Sequence, residues 1–358
     1  MKFVVIGDMH NGVGADDPWH ENVRSELMND VYDYVKNNGI KQLLFLGDIF
    51  DNRNSLTHRS LEFNRKIIID PIVELGLDAD MIIGNHDAMH KNNLTPNAIT
   101  EVFGAIDNFR IAEPFKTVTY DGVNIDLISW ICRDNKYEIM EAVKASNSKY
   151  CFGHFELVGF YFYAGIPSHG DDPQFLRKYD YVGSGHFHTI NSSGNVHYLG
   201  TPFTITANDN NEHRGFWVFD TEDMLNPLFV PNKKTWHRKI NYPKDILDMT
   251  EEFDYEQFRD TRVVIDLNSK EDKNFEKLEM GLEAVVNRLH VNNNFTISKA
   301  REASRSVDPT KKQEGTVLDI AYEYIVGNDA ISDSDKEDIK TKLSTLYQNA
   351  IRKILQEG

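Results

Sequence analysis

Five short apolar runs in the first half of the chain each give way to a glycine and then to acids, histidines or asparagine. The runs are Phe3-Val4-Val5-Ile6, Leu43-Leu44-Phe45-Leu46, Met81-Ile82-Ile83, Tyr150-Cys151-Phe152 and Tyr181-Val182. Behind them come Gly7-Asp8-Met9-His10, Gly47-Asp48-Ile49-Phe50-Asp51, Gly84-Asn85-His86-Asp87, Gly153-His154 and Gly185-His186-Phe187-His188. Runs this short, partly β-branched or aromatic, predict strands buried on both faces. A glycine at the exit lets the backbone turn sharply. In layered α/β folds, ligands collect beyond the carboxyl ends of the strands. Five such ends would therefore share one crevice, which points to an α/β architecture.

The residue types in that crevice point to metal chemistry. Imidazoles and carboxylates bind first-row divalent metals, and one carboxylate can bridge two ions. Water held by two such ions ionises near neutral pH and can attack phosphorus in line. A leaving alkoxide then benefits from a proton, which a histidine titrating near neutrality can supply. Mixed Asp, His and Asn donors suit manganese or iron better than magnesium or calcium. The other histidines, at 20, 58, 90, 169, 197, 213, 237 and 290, lie outside the five clusters and read as solvated or locally satisfied.

Residues 22–37 predict a helix that stops at Asn38-Gly39. A second helix is expected over 58–75, kinked or divided by Pro71. Lys116 to Trp130 alternates around Asp121-Gly122, a hairpin signature. Val196 to Leu199 and Gly215 to Asp220 continue the β-rich half, so two packed sheets flanked by helices are expected over about 1–240. A small β-α-β unit is expected at about 255–300, from strand Val263–Leu267, a helix over 273–290 and a further strand at Phe295-Thr296-Ile297. Residues 301–315 read as a polar linker. Two amphipathic helices fill 316–358, the second carrying Leu343, Leu346, Tyr347, Ile351 and Ile354 on one face.

A net charge of −17 over 358 residues excludes a bulk electrostatic grip on nucleic acid. A local grip is still open, because residues 288–312 hold six Lys/Arg against two acids. Phe160-Tyr161-Phe162-Tyr163 could stack on unpaired bases, although packing is the better account of such a run. No apolar run is long enough to span a membrane. Cys132 and Cys151 form no metal or redox pair motif, so two reduced thiols in an intracellular, cytoplasmic protein are expected.

The five clusters resemble the motifs of the calcineurin-like metallophosphoesterase superfamily. Within it, the chain is similar to SbcD-type nuclease subunits of DNA double-strand-break repair. Longer stretches near Trp19, Trp236 and Gly200-Thr201-Pro202 resemble the recombination nuclease subunits of T-even-like phages. The resemblance implies a four-layer α/β/β/α sandwich with a small β-α-β cap and a C-terminal helical tail. It implies one metal on Asp8, His10, Asp48 and His188, and another on Asp48, Asn85, His154 and His186, with Asp48 bridging. His86 would stand beside the scissile phosphate, oriented by Asp87. Where some relatives carry a histidine linked to handling the DNA end, this chain has Asp51. The resemblance also implies DNA as substrate, manganese as the metal and homodimerisation. It further implies an SbcC-type coiled-coil ATPase partner and work in recombination, replication and DNA degradation in the cytoplasm of an infected host.

Two other function classes fit less well. Protein phosphatases of this superfamily follow the second motif with Arg-Gly and end the third with Glu; here Asn52-Arg53-Asn54 and Asp87 stand in those places. A small phosphodiesterase would have no use for the cap and the tail. A scaffold without metal would not need the complete ligand set.

Overall fold

The computed structural model describes residues 1–163, 166–246 and 253–295, and from the tail Tyr322, Ile325, Lys336, Glu337 and 339–345. Residues 1–294 form one compact unit and 295–358 another.

All five predicted runs are strands. Lys2–Ile6, Gln42–Phe45, Asp78–Ile82 and Phe109–Ala112 lie parallel in one sheet, which Gly215–Asp220 and Leu228–Pro231 extend antiparallel. Tyr150–His154 and Tyr181–Gly185 are the parallel centre of a second sheet, flanked by Val196–Tyr198 and Val123–Ile128. Phe115–Tyr120 closes that sheet through the predicted hairpin, with Asp121 and Gly122 both at positive φ, as a tight two-residue turn requires.

Side chains alternate along a strand, and here both sets are buried. Val4, Ile6, Leu43 and Phe45 pack outward against Val23, Leu27, Val31 and Ile68. Phe3, Val5, Leu44 and Leu46 face Leu127, Phe152 and Tyr181 of the second sheet. The far side of that sheet is covered by Ile139 and Val143 of helix Lys136–Ala145 and by Leu176. The order is helix, sheet, sheet, helix, as expected.

The first long helix runs Pro18–Asn38, with Pro18 in its first turn and the Asp17 carboxylate accepting from Trp19 N. Its end falls where Gly39 adopts left-handed φ. The second expected helix is continuous but changes winding: His58–Asn64 is α, Arg65–Ile69 a π turn, and Asp70–Glu74 α again. Pro71 has no N–H to give, and the wider turn just before it absorbs the missing bond.

The cap differs from expectation at both ends. Its helix is Lys273–Glu283, and residues 288–290 belong instead to a strand, Arg288–Asn293. Its sheet also takes His237–Tyr242, which runs parallel to Arg262–Leu267. Ile240, Val263, Ile265, Phe275, Leu278 and Leu282 form its core. The tryptophan-histidine segments meet where cap and core join. Trp19 lies edge-on to Trp236 and His237, its indole N–H bonds the Asp260 carbonyl, and Arg262 covers its ring and pairs with Asp17.

Phe160 is buried against Tyr198 and Tyr161 is exposed, so the aromatic run is divided between packing and surface. Cys132 and Cys151 are buried free thiols. Within the tail, Ile325 is buried and the Tyr322 hydroxyl bonds the Lys340 carbonyl. Phe295, expected to open a strand, is helical; the rest of that expected strand, the expected linker and most of the tail's apolar face lie outside the described residues.

Candidate metal centre

The carboxyl ends of both sheets open on one edge. Asp8 and His10 follow Lys2–Ile6, Asp48 follows Gln42–Phe45, and Asn85 and His86 follow Asp78–Ile82. His154 ends its own strand and pairs in register with Gly185, so His186 starts level with it. The first two loops are tied together by main-chain bonds. Met9 N and His10 N both donate to Asp48 O (3.0 and 2.9 Å), and Asn11 N donates to Ile49 O at 2.7 Å.

These loops bring all seven sequence-predicted ligands together. Asp8, His10 and His188 offer donor atoms within 4.8 Å of one another, and so do Asp48, His154 and His186. Asp48 Oδ2 stands between the groups, 3.7 Å from His10 Nε2 and 3.4 Å from His154 Nε2. Asn85 Oδ1 lies 3.0 Å from His154 Nε2 and 2.9 Å from His186 Nδ1.

The donor chemistry fits two divalent cations. His154 Nδ1 lies 2.8 Å from the Leu46 carbonyl, which can only accept. In a neutral ring, Nε2 therefore turns a lone pair toward Asn85 Oδ1 and Asp48 Oδ2, both of them acceptors. Asp8 Oδ1, His10 Nε2 and His188 Nδ1 are buried with no hydrogen-bond partner. Orphaned buried acceptors are costly, and a cation satisfies several of them at once.

Electrostatics agree with this fit at His186 and His188, whereas His154 must release a proton to take a cation. Burial, helped by neighbouring His154, pushes His186 down to about 3. Burial beside His10 lowers His188 as well. Both rings stay neutral, as ligation needs. Burial alone would lower His154, but the adjacent Asp48 outweighs it and raises the ring to about 9. Burial raises Asp8, with Asp48 adding to the rise and His154 opposing it. Burial would raise Asp48 too, yet His154, His10 and His86 together hold it low. Cations would relieve two carboxylates buried side by side.

The centre is also where the backbone is strained. His10, Asp48 and His186 adopt φ of 45, 48 and 82°, in the left-handed region that such residues seldom occupy. Two glycines leave room for the carboxylates. A Cβ on Gly185 would lie 2.4 Å from Asp8 Oδ1, and one on Gly84 would lie 2.1 Å from Asp48 Oδ1.

His86 and Asp87 do not form the expected pair. His86 Nδ1 lies 2.6 Å from the main-chain carbonyl of Asp51, and that carbonyl, not Asp87, orients the ring. The Asp87 carboxylate is buried and accepts from Phe50 N (3.0 Å) and Gly84 N (2.9 Å), fastening the second and third loops. Burial and the nearby Asp48 raise its pKa.

Two supporting residues were missed from the sequence. Asp51 Oδ1 stands 3.2 Å from His10 Nδ1, the carboxylate support that metal-binding histidines usually have. Burial works against that carboxylate's charge, but the His10 contact prevails and lowers its pKa. Asp51→Ala should weaken metal binding by roughly 10- to 100-fold, the usual cost of losing such a partner; titration calorimetry with manganese measures it. Arg24 is fully buried and donates to the carbonyls of Met9, His10 and His20, holding the left-handed turn at His10. Asp51 was visible within its motif, but Arg24 had no signal, being an ordinary residue of an amphipathic helix.

Known proteins agree with the motifs. Residues 1–189 match the calcineurin-like phosphoesterase family. The chain is 41% identical over 350 residues to exonuclease subunit 1 of Enterobacteria phage T4, covering 98% of this chain and 99% of that one. Solved structures are more distant. An archaeal phosphodiesterase is 8% identical over 65% of this chain and 100% of its own, with a TM-score of 0.34. GAP50 of Plasmodium is 12% identical over 66% of this chain and 90% of its own, with a TM-score of 0.39. With a family match across the metal-bearing half and a relative matched almost end to end, this chain belongs to the calcineurin-like phosphoesterase family.

Proposed function

We propose that this chain is a two-metal phosphodiesterase that hydrolyses DNA as one subunit of a nuclease complex. The observation that carries the reading is Asp48 Oδ2, which belongs to the group with His154 and His186 (3.4 Å from His154 Nε2) and lies 3.7 Å from His10 Nε2 of the other group. Near-full-length similarity to a phage exonuclease subunit supports DNA as the substrate. Asp8, His10, Asp48 and His188 would hold one ion, and Asp48, Asn85, His154 and His186 the other. Two divalent ions, manganese on the character of the donors, would neutralise phosphate oxygens and lower the pKa of the attacking water.

The chain's own residues do the rest. Asp48 and His154 fix the spacing between the donor groups, and Asp51 and Arg24 keep His10 turned inward. His86 Nδ1–H donates to the Asp51 carbonyl and stays on the ring, which fixes the ring's orientation; as the imidazolium, His86 would pass its Nε2 proton to the leaving oxygen and become neutral. His86→Ala should keep near-normal metal content while slowing cleavage roughly 10²- to 10⁴-fold. Loss of metal from that variant would make His86 a ligand instead.

The phage relative is a subunit of an exonuclease, and a coiled-coil ATPase of the SbcC type is the partner we propose for this chain. We further propose a homodimer built through core helices, and a division into a nuclease core ending near residue 236, a DNA-contacting cap that opens with the strand His237–Tyr242 and runs to about 300, a linker (301–315) and a partner-binding tail (316–358). Deleting 316–358 should spare manganese-dependent cleavage and abolish complex formation; full co-purification of the truncated chain with the ATPase would refute the docking role. No helix among the described residues is long and apolar enough to cross a membrane. We place the protein's work in the cytoplasm of an infected cell.

The central test uses purified protein on end-labelled duplex and single-stranded DNA, with and without manganese. Cleavage that needs the metal is expected. A chain that binds two metals and cuts neither DNA would overturn the reading.

A further inference from the structure

Beside the metal centre, and separate from its ligands, lies a cavity of about 190 Å³. Its walls are Trp130, Phe155 and Leu157, with Glu156, His169 and Asp171 supplying polar edges. The Trp130 ring stands 5.2 Å from the ring of His186, and Glu156 Oε2 is 3.8 Å from His186 Nε2. A group in this cavity would therefore touch the side of the second donor group.

The cavity is built rather than incidental. Trp130 N donates to Ile83 O at 2.8 Å, which fixes the tryptophan to the strand end that carries Asn85. The opposite walls are laced together, Asp171 N donating to Glu156 O (2.8 Å) and Val158 N to Asp171 O (3.0 Å). Its volume is below the roughly 300–1,000 Å³ of sites that take drug-sized ligands, and suits one planar heterocycle. An indole face offers stacking, and the Glu156 carboxylate offers an acceptor to an amino group, the Asp171 carboxylate being paired with Lys136.

We infer that this cavity receives a nucleobase adjoining the scissile phosphate, favouring bases with an exocyclic amine over thymine. This rests on the DNA-hydrolase reading. Trp130 would stack on the base and Glu156 would accept from its amine, so the cavity sets where the strand lies relative to the metals. Stacking is sequence-tolerant, and the carboxylate adds the preference.

The test compares wild-type cleavage, with manganese, of oligonucleotides carrying either a normal or an abasic residue at each position flanking the cut. At one flanking position, removing the base should lower kcat/KM roughly tenfold or more, chiefly through KM. Trp130→Ala should show the same loss on normal DNA and no further loss on the abasic substrate, while Trp130→Phe restores most of it. Glu156→Gln should level the rates for adenine, cytosine and thymine at that position. Equal wild-type rates on abasic and normal strands would overturn the base-binding role, and a thymine preference unchanged by Glu156→Gln would overturn the carboxylate's part. Failure to cut any DNA would instead count against the hydrolase reading.

Discussion

Asp48→Ala should lose all phosphodiesterase activity and most bound metal. Its Oδ2 reaches toward His10 Nε2 in one donor group and His154 Nε2 in the other. Its Oδ1 also accepts from His86 N at 2.7 Å, so the same change frees the loop that carries the proton donor. Removing the carboxylate leaves His154 beside Asp8 alone, and the ring's raised pKa should fall, since Asp48 is the main cause of the rise. The stability that this raised pKa contributes is fully present below the unfolded value near 6.5 and is lost as pH rises toward 9. Compared without metal, the variant should therefore be destabilised relative to wild type most in acid, where the lost pair counted most. Elemental analysis after manganese loading gives the decisive number. Two ions per chain retained by Asp48→Ala would refute its bridging position.

Gly84→Ala should be nearly as damaging, though it removes no ligand. The added Cβ would lie 2.1 Å from Asp48 Oδ1 and 2.3 Å from Asp48 N. The carboxylate could rotate away, but the main-chain nitrogen cannot, so the second and third loops would have to separate. That separation breaks the bond from Phe50 N to Asp87 and the bond from His86 N to Asp48. Overpacking of this kind costs about 1–3 kcal/mol, and here the displaced atoms are the donors themselves. Metal affinity should drop by roughly 10²-fold, the upper end of that range, while the fold persists. Circular dichroism and a manganese titration would reveal both. Normal metal affinity in the Gly84→Ala variant would show that the two loops are not rigidly coupled.

Arg24 shows why part of the centre escaped the sequence. A fully buried arginine is rare without a carboxylate partner, and this one is spent on three carbonyls, of Met9, His10 and His20. Nothing in Pro18–Asn38 marks position 24 as different from other charged helix positions. Asp87 failed for a related reason. Standing next to His86 in the chain suggested that it serves that ring, yet its carboxylate points to Phe50 N and Gly84 N. Chain neighbours on a sharp turn need not face one another.

The cap boundary has the same origin. Residues 288–290 extend an apolar period that suits a helix, but Arg288–Asn293 pairs along its whole length with Arg262–Leu267. Short apolar stretches are ambiguous by period alone, and the available strand partner decides them.

By itself the sequence determined the strands and the ends at which they stop, because burial on both faces and an abrupt change to polar residues are local patterns; the choice of seven donors among the cluster residues came from the resemblance of the motifs to a known family. Only the tertiary structure decided which carbonyl turns His86, and that Asp51 and Arg24 brace His10. Those relations join residues far apart in the chain, and they depend on loop paths at ångström precision. They also depend on left-handed turns at His10, Asp48 and His186, residues whose own conformational preferences run the other way.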